Sequence, residues 1–380
     1  MSSARLLGID GLRGIAVLAV VACHCVLRGG YPVAELGPLV VLTRGWMGVD
    51  LFFVISGFLI TRLIIGEERV DHRFNLRAFY ARRSLRILPP FYVVLLLNLF
   101  LIGNAAASSA ETWQTLWESS PLESMSLFVF LMNYTSTQFI IALPLAYQVS
   151  WSLCVEEHFY VGWSLLLYGV RSQRTRVIAA TLLVLAIPVA RWAVALGHDI
   201  PAVAIQFGSH FRIDSILWGA LGALVLHELC GRVRLRRVAG AGAAVVVVAL
   251  AVAFPADVVP LAPIALALTY SALSLLALCV IVEVVAAPAA GLTRCLEFPP
   301  LRFVGRVSYG VYLLHPTAID LANWGIFRVF AHPSLLHVAL QIVLASFFSV
   351  GMAALLFAAL ERPLTAWKER RFPRRGLGPS

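Results

Sequence analysis

The chain has 380 residues, of which 60% are hydrophobic and only 13% charged, with a formal net charge of +10. Soluble domains carry about 25% charged residues, so the composition excludes an ordinary water-soluble fold and describes an integral membrane protein. The positive balance is not a nucleic-acid footprint. The basic residues stand in short clusters between apolar runs, as a topology signal does.

Apolar runs of roughly 17–25 residues, the length a bilayer demands, predict an all-α bundle of about ten transmembrane helices. They fall at 9–28, 45–65, 89–104, 151–170, 176–196, 211–230, 238–254, 262–286, 305–327 and 335–360. Asn133 to Gln138 interrupt the apolar run of 122–143, which reads as a re-entrant or interfacial stretch. Alternation from a cytoplasmic N-terminus puts about 25 of the basic residues inside and about five outside, namely Arg28, Arg44, Arg191, Arg212 and Arg328. Both termini are therefore expected in the cytoplasm. No soluble domain is expected at either end, and the Pro- and Arg-rich tail beyond Leu360 reads as unstructured at the membrane surface. A cleaved leader is not expected, because Asp10 and Arg13 interrupt the first run.

That first run, Leu7 to Val26, holds the most informative pair. An ionisable side chain inside a membrane span is costly and marks a functional position by default. Arg13 and His24 are eleven positions apart, three turns plus roughly 20°, so they share one helix face about 16 Å apart along the axis. Arg13 alone reads equally as a topology cation, and His24 alone as a partner for a neighbouring helix. His24 beside a carboxylate would act as a general base toward a hydroxyl.

Other polar groups follow in chain order. Asp50, Glu156, Glu157, Arg212 and Asp214 fall in the outer half or at the outer ends of their spans, and His315 near the middle of the ninth. Asp50 and Arg212 equally suit a buried structural pair, and Glu157 equally suits the headgroup layer. His315 precedes Pro316 and equally suits a carbonyl freed by that proline. Arg83 and Arg86, in ARRSLRILPP, are three apart, hence neighbours if helical. They suit a phosphorylated ligand at a cytoplasmic mouth, or, with Arg82, simply mark the inside. His158, His198, His210 and His227 read as surface or packing residues. Gly11, Gly14, Gly48 and Gly57 read as points of close helix approach.

No metal site is expected. The six cysteines form no Cys-x-x-Cys, and in Cys23-His24-Cys25 consecutive helical residues point about 100° apart.

IDGLRGIAVLAVVACH resembles the first span of the acyltransferase 3 family, marked by Arg, ten residues, then His. GVDLFFVISGFLIT, RRSLRILPPFY, WSLCVEEHFY, FRIDSILWGAL and GRVSYGVYLLHP resemble its later blocks in the same order, giving an acyltransferase 3-like transmembrane domain over 6–363 and a basic cytoplasmic tail over 364–380. The resemblance implies a multi-pass membrane O-acyltransferase of the bacterial cytoplasmic membrane. Such an enzyme moves an acyl group, acetyl or a short branched acyl, from acyl-CoA to a hydroxyl of a cell-envelope glycan or a macrolide-type product. Acyl-CoA, acetyl-CoA foremost, enters as co-substrate with no tightly bound cofactor. The family's motif residues fall on Arg13 and His24, with Arg83 and Arg86, Trp151 and Glu156, and Tyr309 and His315. Many members have Gln where His158 stands and Trp where Leu314 stands, which puts the acceptor or acyl pocket in doubt more than the chemistry.

The expected roles are then specific. His24, with Arg13, Glu156 and Asp50, forms the catalytic group, with Glu156 or Asp50 steering the imidazole. Arg83 and Arg86 hold the phosphates of acyl-CoA. Trp151, Arg212, Asp214, Tyr309 and His315 line the substrate site, where Arg212 or His315 stabilises the oxyanion. Direct transfer is expected over an acyl-enzyme, because the sequence shows no serine or cysteine held by a base, with Ser56 and Cys23 as the weak nucleophile candidates. The rival class is a transporter of a lipid-linked or acylated glycan, since polar residues along a bundle interior also suit a translocation path.

Overall fold

The computed structural model describes residues 6–29, 31–71, 74–104, 121–135, 140, 143–196, 202–229, 240–243, 263–287, 290–326 and 334–372. Among them every regular element is helical. The first helix, α1 (Leu7–Arg28), is built from Ala, Val, Leu and Ile. Asp10 in its first turn and Arg28 in its last complement the helix dipole, and it stops at Gly29. A 3-10 segment (Gly37–Trp46) runs into α2 (Met47–Asp71). The helix α3 (Leu76–Asn104) carries Pro89 and Pro90. It begins thirteen residues before the expected third span, so Arg83 and Arg86 stand on a helix and not in a loop.

Then follow α4 (Ser150–Gly169), α5 (Gln173–Leu196), α6 (Ser209–Leu229) and α7 (Pro263–Ala286). The short α8 (Pro299–Arg306) leads into α9 (Ser308–Ile326), which contains Pro316. Ser334 caps α10 (Leu335–Leu356) by accepting from the backbone N–H of His337. A π turn (Phe357–Glu361) joins α10 to α11 (Arg362–Arg371). The expectation of an unstructured tail therefore fails over 362–371, which form a helix with Lys368 buried.

Six helical stretches among the described residues are long and apolar enough to cross a bilayer. They are Leu7–Arg28, Gly37–Asp71, Leu76–Leu101, Gln173–Leu196, Leu268–Ala286 and Leu335–Arg371. The spans expected at 151–170, 211–230 and 305–327 are helices, α4, α6 and α9, that fall outside this set of six. The one expected at 238–254 lies almost wholly outside the described residues. Of the ambiguous 122–143 segment, the described part is a short helix (Pro121–Ser126), turns and one 3-10 turn (Met132–Tyr134), not a continuous helix. Large apolar side chains such as Leu182, Val189, Val343 and Phe347 face outward, as lipid permits and water does not.

The bundle centres on α1, which packs on the 3-10 segment, α2, α8, α9 and α10, while α2 packs on α6 and α7, and α9 on α10. Small residues make these approaches possible. A Cβ on Gly11, Gly14, Gly48 or Gly57 would collide with the backbone carbonyl of Leu296, Leu301, Ala16 or Ile216, as the sequence predicted. Between α2 and α6 the fit is reciprocal, since Gly219 presses equally on Val54.

Charge inside the bundle is paired. Arg191, expected at the outer surface, is fully buried and grips Asp214 through both Nη atoms at 2.8 Å, with Ser271 at 2.7 Å. A guanidinium and a carboxylate taken out of water need this bidentate geometry to offset their desolvation.

Candidate active site

Two polar groups lie along the core-facing side of α1. Toward its C-terminal end, His24 Nδ1 is 2.9 Å from His315 Nε2. The rings stack with centroids 5.0 Å apart and planes 16° off parallel. His315 is fully buried and turns its Nδ1 to the carbonyl of Tyr312 at 2.7 Å. Tyr312 in turn donates its hydroxyl to the Val149 carbonyl at 3.0 Å and lies 2.8 Å from Ser152 Oγ, which ties α9 to the start of α4. Arg28, one turn beyond His24, bridges to Asp320 at 3.5 Å.

The carboxylate expected beside His24 is elsewhere. Asp50 is held by Arg212 at 2.7 Å and Ser215 at 3.1 Å, the buried structural pair that the sequence also allowed. Glu156 accepts from Ser56 at 3.1 Å and from Tyr160 at 2.6 Å. The side chain within hydrogen-bond distance of His24 is His315, not either of these carboxylates. His315, expected as one of two oxyanion donors, has both ring nitrogens engaged in this structure, by His24 and by the Tyr312 carbonyl.

Arg212 remains a donor: its Nε and Nη1 have no hydrogen-bond partner among the described residues. Its guanidinium lies 3.4 Å from the Tyr270 ring centroid and 5.6 Å from that of Trp151, a cation enclosed by aromatic faces. Trp151 also contacts Phe53 and Phe207. Asp214, named with these as substrate-binding, is paired with Arg191. Tyr309 donates to the Ile87 carbonyl at 2.9 Å, next to the proline pair of α3.

The second group surrounds Arg13, which interacts electrostatically with Arg86, Asp10, Glu156 and Tyr160. Glu361, in the π turn, interacts with Arg86 and Arg13, and its Oε1 has no hydrogen-bond partner among the described residues. Single π turns inside helices often mark functional positions. Arg83 lies over the Tyr160 ring, 4.9 Å from its centroid. Beside it a pocket is lined by Leu63, Ile64, Glu67, Phe79, Arg82, Arg83, Arg86 and Lys368. Arg82 is paired with Glu67, leaving the lining with a cationic excess suited to a polyanion. Sequence reasoning missed Glu361, Lys368 and Tyr160. Only Lys368 carried a signal, as the one lysine in the chain.

Arg13 and His24 keep some accessible surface, while Val17 and Val20, between them on the same face, are fully buried. The two groups are therefore separated by a packed apolar seam. The structure also supplies a serine beside an imidazole, which the sequence did not anticipate: Ser209 Oγ is 2.7 Å from His158 Nδ1. It accepts from Asn133 as well and exposes only 3% of its surface, so it reads as a buried tie between elements. His210 stacks on Tyr134.

The helical bundle thus sets a histidine pair toward one end of α1 and a basic pocket lined by Arg83, Arg86 and Lys368 near the other. A family model described as an acyltransferase domain matches residues 6–359, and the chain belongs to that family, acyltransferase 3. The chain is 28% identical over 378 residues to the peptidoglycan O-acetyltransferase OatA of Listeria monocytogenes, covering 94% of this chain and 55% of that protein. It is 26% identical over 390 residues to YrhL of Bacillus subtilis, provisionally named a peptidoglycan O-acetyltransferase, covering 97% of this chain and 56% of that protein. The chain thus spans little more than half the length of these relatives. No solved structure matches it.

Proposed function

We propose that this chain is a membrane O-acyltransferase that moves an acetyl group from acetyl-CoA to a hydroxyl of a cell-envelope glycan. The observation that carries the reading is the His24–His315 pair at 2.9 Å, on the α1 face that begins at Arg13, in a chain of the acyltransferase family. Acetyl-CoA binds from the cytoplasm, with its phosphates in the pocket of Arg83, Arg86 and Lys368. His24 takes the proton of the acceptor hydroxyl as its oxygen attacks the thioester carbon. The carbon–sulfur bond then breaks, and the proton passes to the departing thiolate. The acyl arm reaches His24 only if the seam at Val17 and Val20 opens. The glycan acceptor is preferred to a macrolide because the relatives' names specify peptidoglycan.

The same reading places ten spans in the bacterial plasma membrane with both termini in the cytoplasm, and the substrate-facing aromatic and cationic groups (Trp151, Arg212, Tyr309) near the acceptor. The test is free-thiol release from acetyl-CoA by purified protein with glycan acceptors, wild type beside His24→Ala. Release by the wild type alone supports the reading. Absence of both release and CoA binding overturns it, and a glycan-transport assay in vesicles then tests the rival class.

A further inference from the structure

Pro316 has no N–H, so the helical hydrogen bond that residue 316 would normally give to the carbonyl four positions earlier is missing. That carbonyl belongs to Tyr312, and His315 Nδ1 lies 2.7 Å from it. A carbonyl oxygen only accepts, so Nδ1 of His315 bears a hydrogen. In a neutral imidazole the other nitrogen then holds a lone pair. Nε2 of His315 faces Nδ1 of His24 at 2.9 Å, so the hydrogen between them sits on His24. The basic lone pair of His24 is thereby assigned to Nε2, the atom turned away from His315.

We propose that Pro316 and His315 are positioning residues that fix the tautomer of His24: the proline frees the Tyr312 carbonyl, the carbonyl fixes His315, and His315 fixes His24 with Nε2 as its proton-accepting atom. The logic is that of a nucleophile's base held by a third group, with a neutral imidazole in place of the carboxylate and a backbone carbonyl behind it. It supplies the orienting partner that neither Asp50 nor Glu156 provides. When Nε2 takes a proton from the acceptor hydroxyl, the charge on His24 is shared through Nδ1–H with His315 Nε2 and eased by the Tyr312 carbonyl. The proton then leaves from Nε2 to the CoA thiolate, and the pair returns to its starting state.

The inference rests on His24 serving as the base of the acyl transfer proposed above, and its test separates the two. The probe is full-length protein in detergent with 15N-labelled histidine, read by imidazole nitrogen resonances beside thiol-release kinetics with acetyl-CoA. The expected signature is hydrogen on Nδ1 in both His24 and His315. Pro316→Ala restores an N–H that competes for Tyr312, and alanine is favourable in a helix, so the variant should fold at least as stably as the wild type. Its kcat should nevertheless fall by about 10-fold or more, a fraction of the ~10²–10⁴-fold that a general base contributes, with KM for acetyl-CoA unchanged.

His315→Ala should lose more. His315→Gln, which sets an amide oxygen near the former Nε2, should recover part of the loss. An Nε2–H tautomer of His24 in the wild type overturns the proposal, as does wild-type kcat in Pro316→Ala. If the wild type transfers no acyl group, the function fails while the resonances still decide the tautomer.

Discussion

His24 and His315 are 291 positions apart, and their facing nitrogens are 2.9 Å apart. The contact joins the first helix to the ninth and makes one imidazole the hydrogen-bond partner of the other. Replacing His24 by alanine removes the proton acceptor while leaving His315 attached to Tyr312. Thiol release with acceptor present should fall at least ~100-fold, with the thermal unfolding profile in detergent little changed. Full turnover in a well-expressed variant would assign the base elsewhere.

The inner pocket predicts a different kinetic pattern. Arg83→Ala and Lys368→Gln each remove a charged hydrogen-bond donor for a phosphate, an interaction of about 1.5–3 kcal/mol. KM for acetyl-CoA should rise by roughly 10-fold or more in each, with kcat nearly constant, the signature of lost uniform binding. Unchanged KM in both would move the phosphate site away from this pocket.

Arg191 and Asp214 are both fully buried. Truncating either one strands a charge, and breaking such a pair costs about 3–5 kcal/mol. Arg191→Met or Asp214→Leu alone should lower the yield of folded protein and the unfolding temperature sharply. The double variant should recover most of the loss. Equal losses in single and double variants would contradict a mutual pairing.

At the α2–α6 contact, Gly57→Ala forces a methyl group against the Ile216 carbonyl. Overpacking of this kind costs about 1–3 kcal/mol. Gly162→Ala, with nothing within 4 Å of the added carbon, should leave the unfolding temperature unchanged or slightly raised and serves as the control.

The proposed orientation has its own readout. Cys295 is exposed, whereas Cys23, Cys25, Cys154 and Cys279 are buried. In a Cys230→Ser background, a membrane-impermeant maleimide should label Cys295 in inverted vesicles and not in intact spheroplasts. The reverse pattern would place the segment between α7 and α8 outside the cytoplasm.

Much of this architecture was legible from composition and period. Apolar runs of bilayer length and the glycines of α1 and α2 are local or near-local signals, and the helices at 7–28, 47–71 and 173–196 follow them. So does the shared face of Arg13 and His24, because one helix carries both. The resemblance of six motifs in order identified the family.

Partnership was not legible, because it depends on which helix faces which across hundreds of residues. The charges of Asp50, Glu156, Arg212 and Asp214 announced that something polar was buried, whereas Arg191 read as an outside cation. Only packing decided that Arg212 takes Asp50, that Arg191 takes Asp214, and that Glu156 turns toward Ser56 and Tyr160. Likewise Pro316 hinted at a carbonyl in need of a donor, and the tertiary fold determined that the donor, His315, also meets His24. Sequence alone established a membrane helix bundle with costly polar groups in it. The three-dimensional arrangement paired those groups, because hydrogen bonds act over about 3 Å and only folding brings distant helices that close.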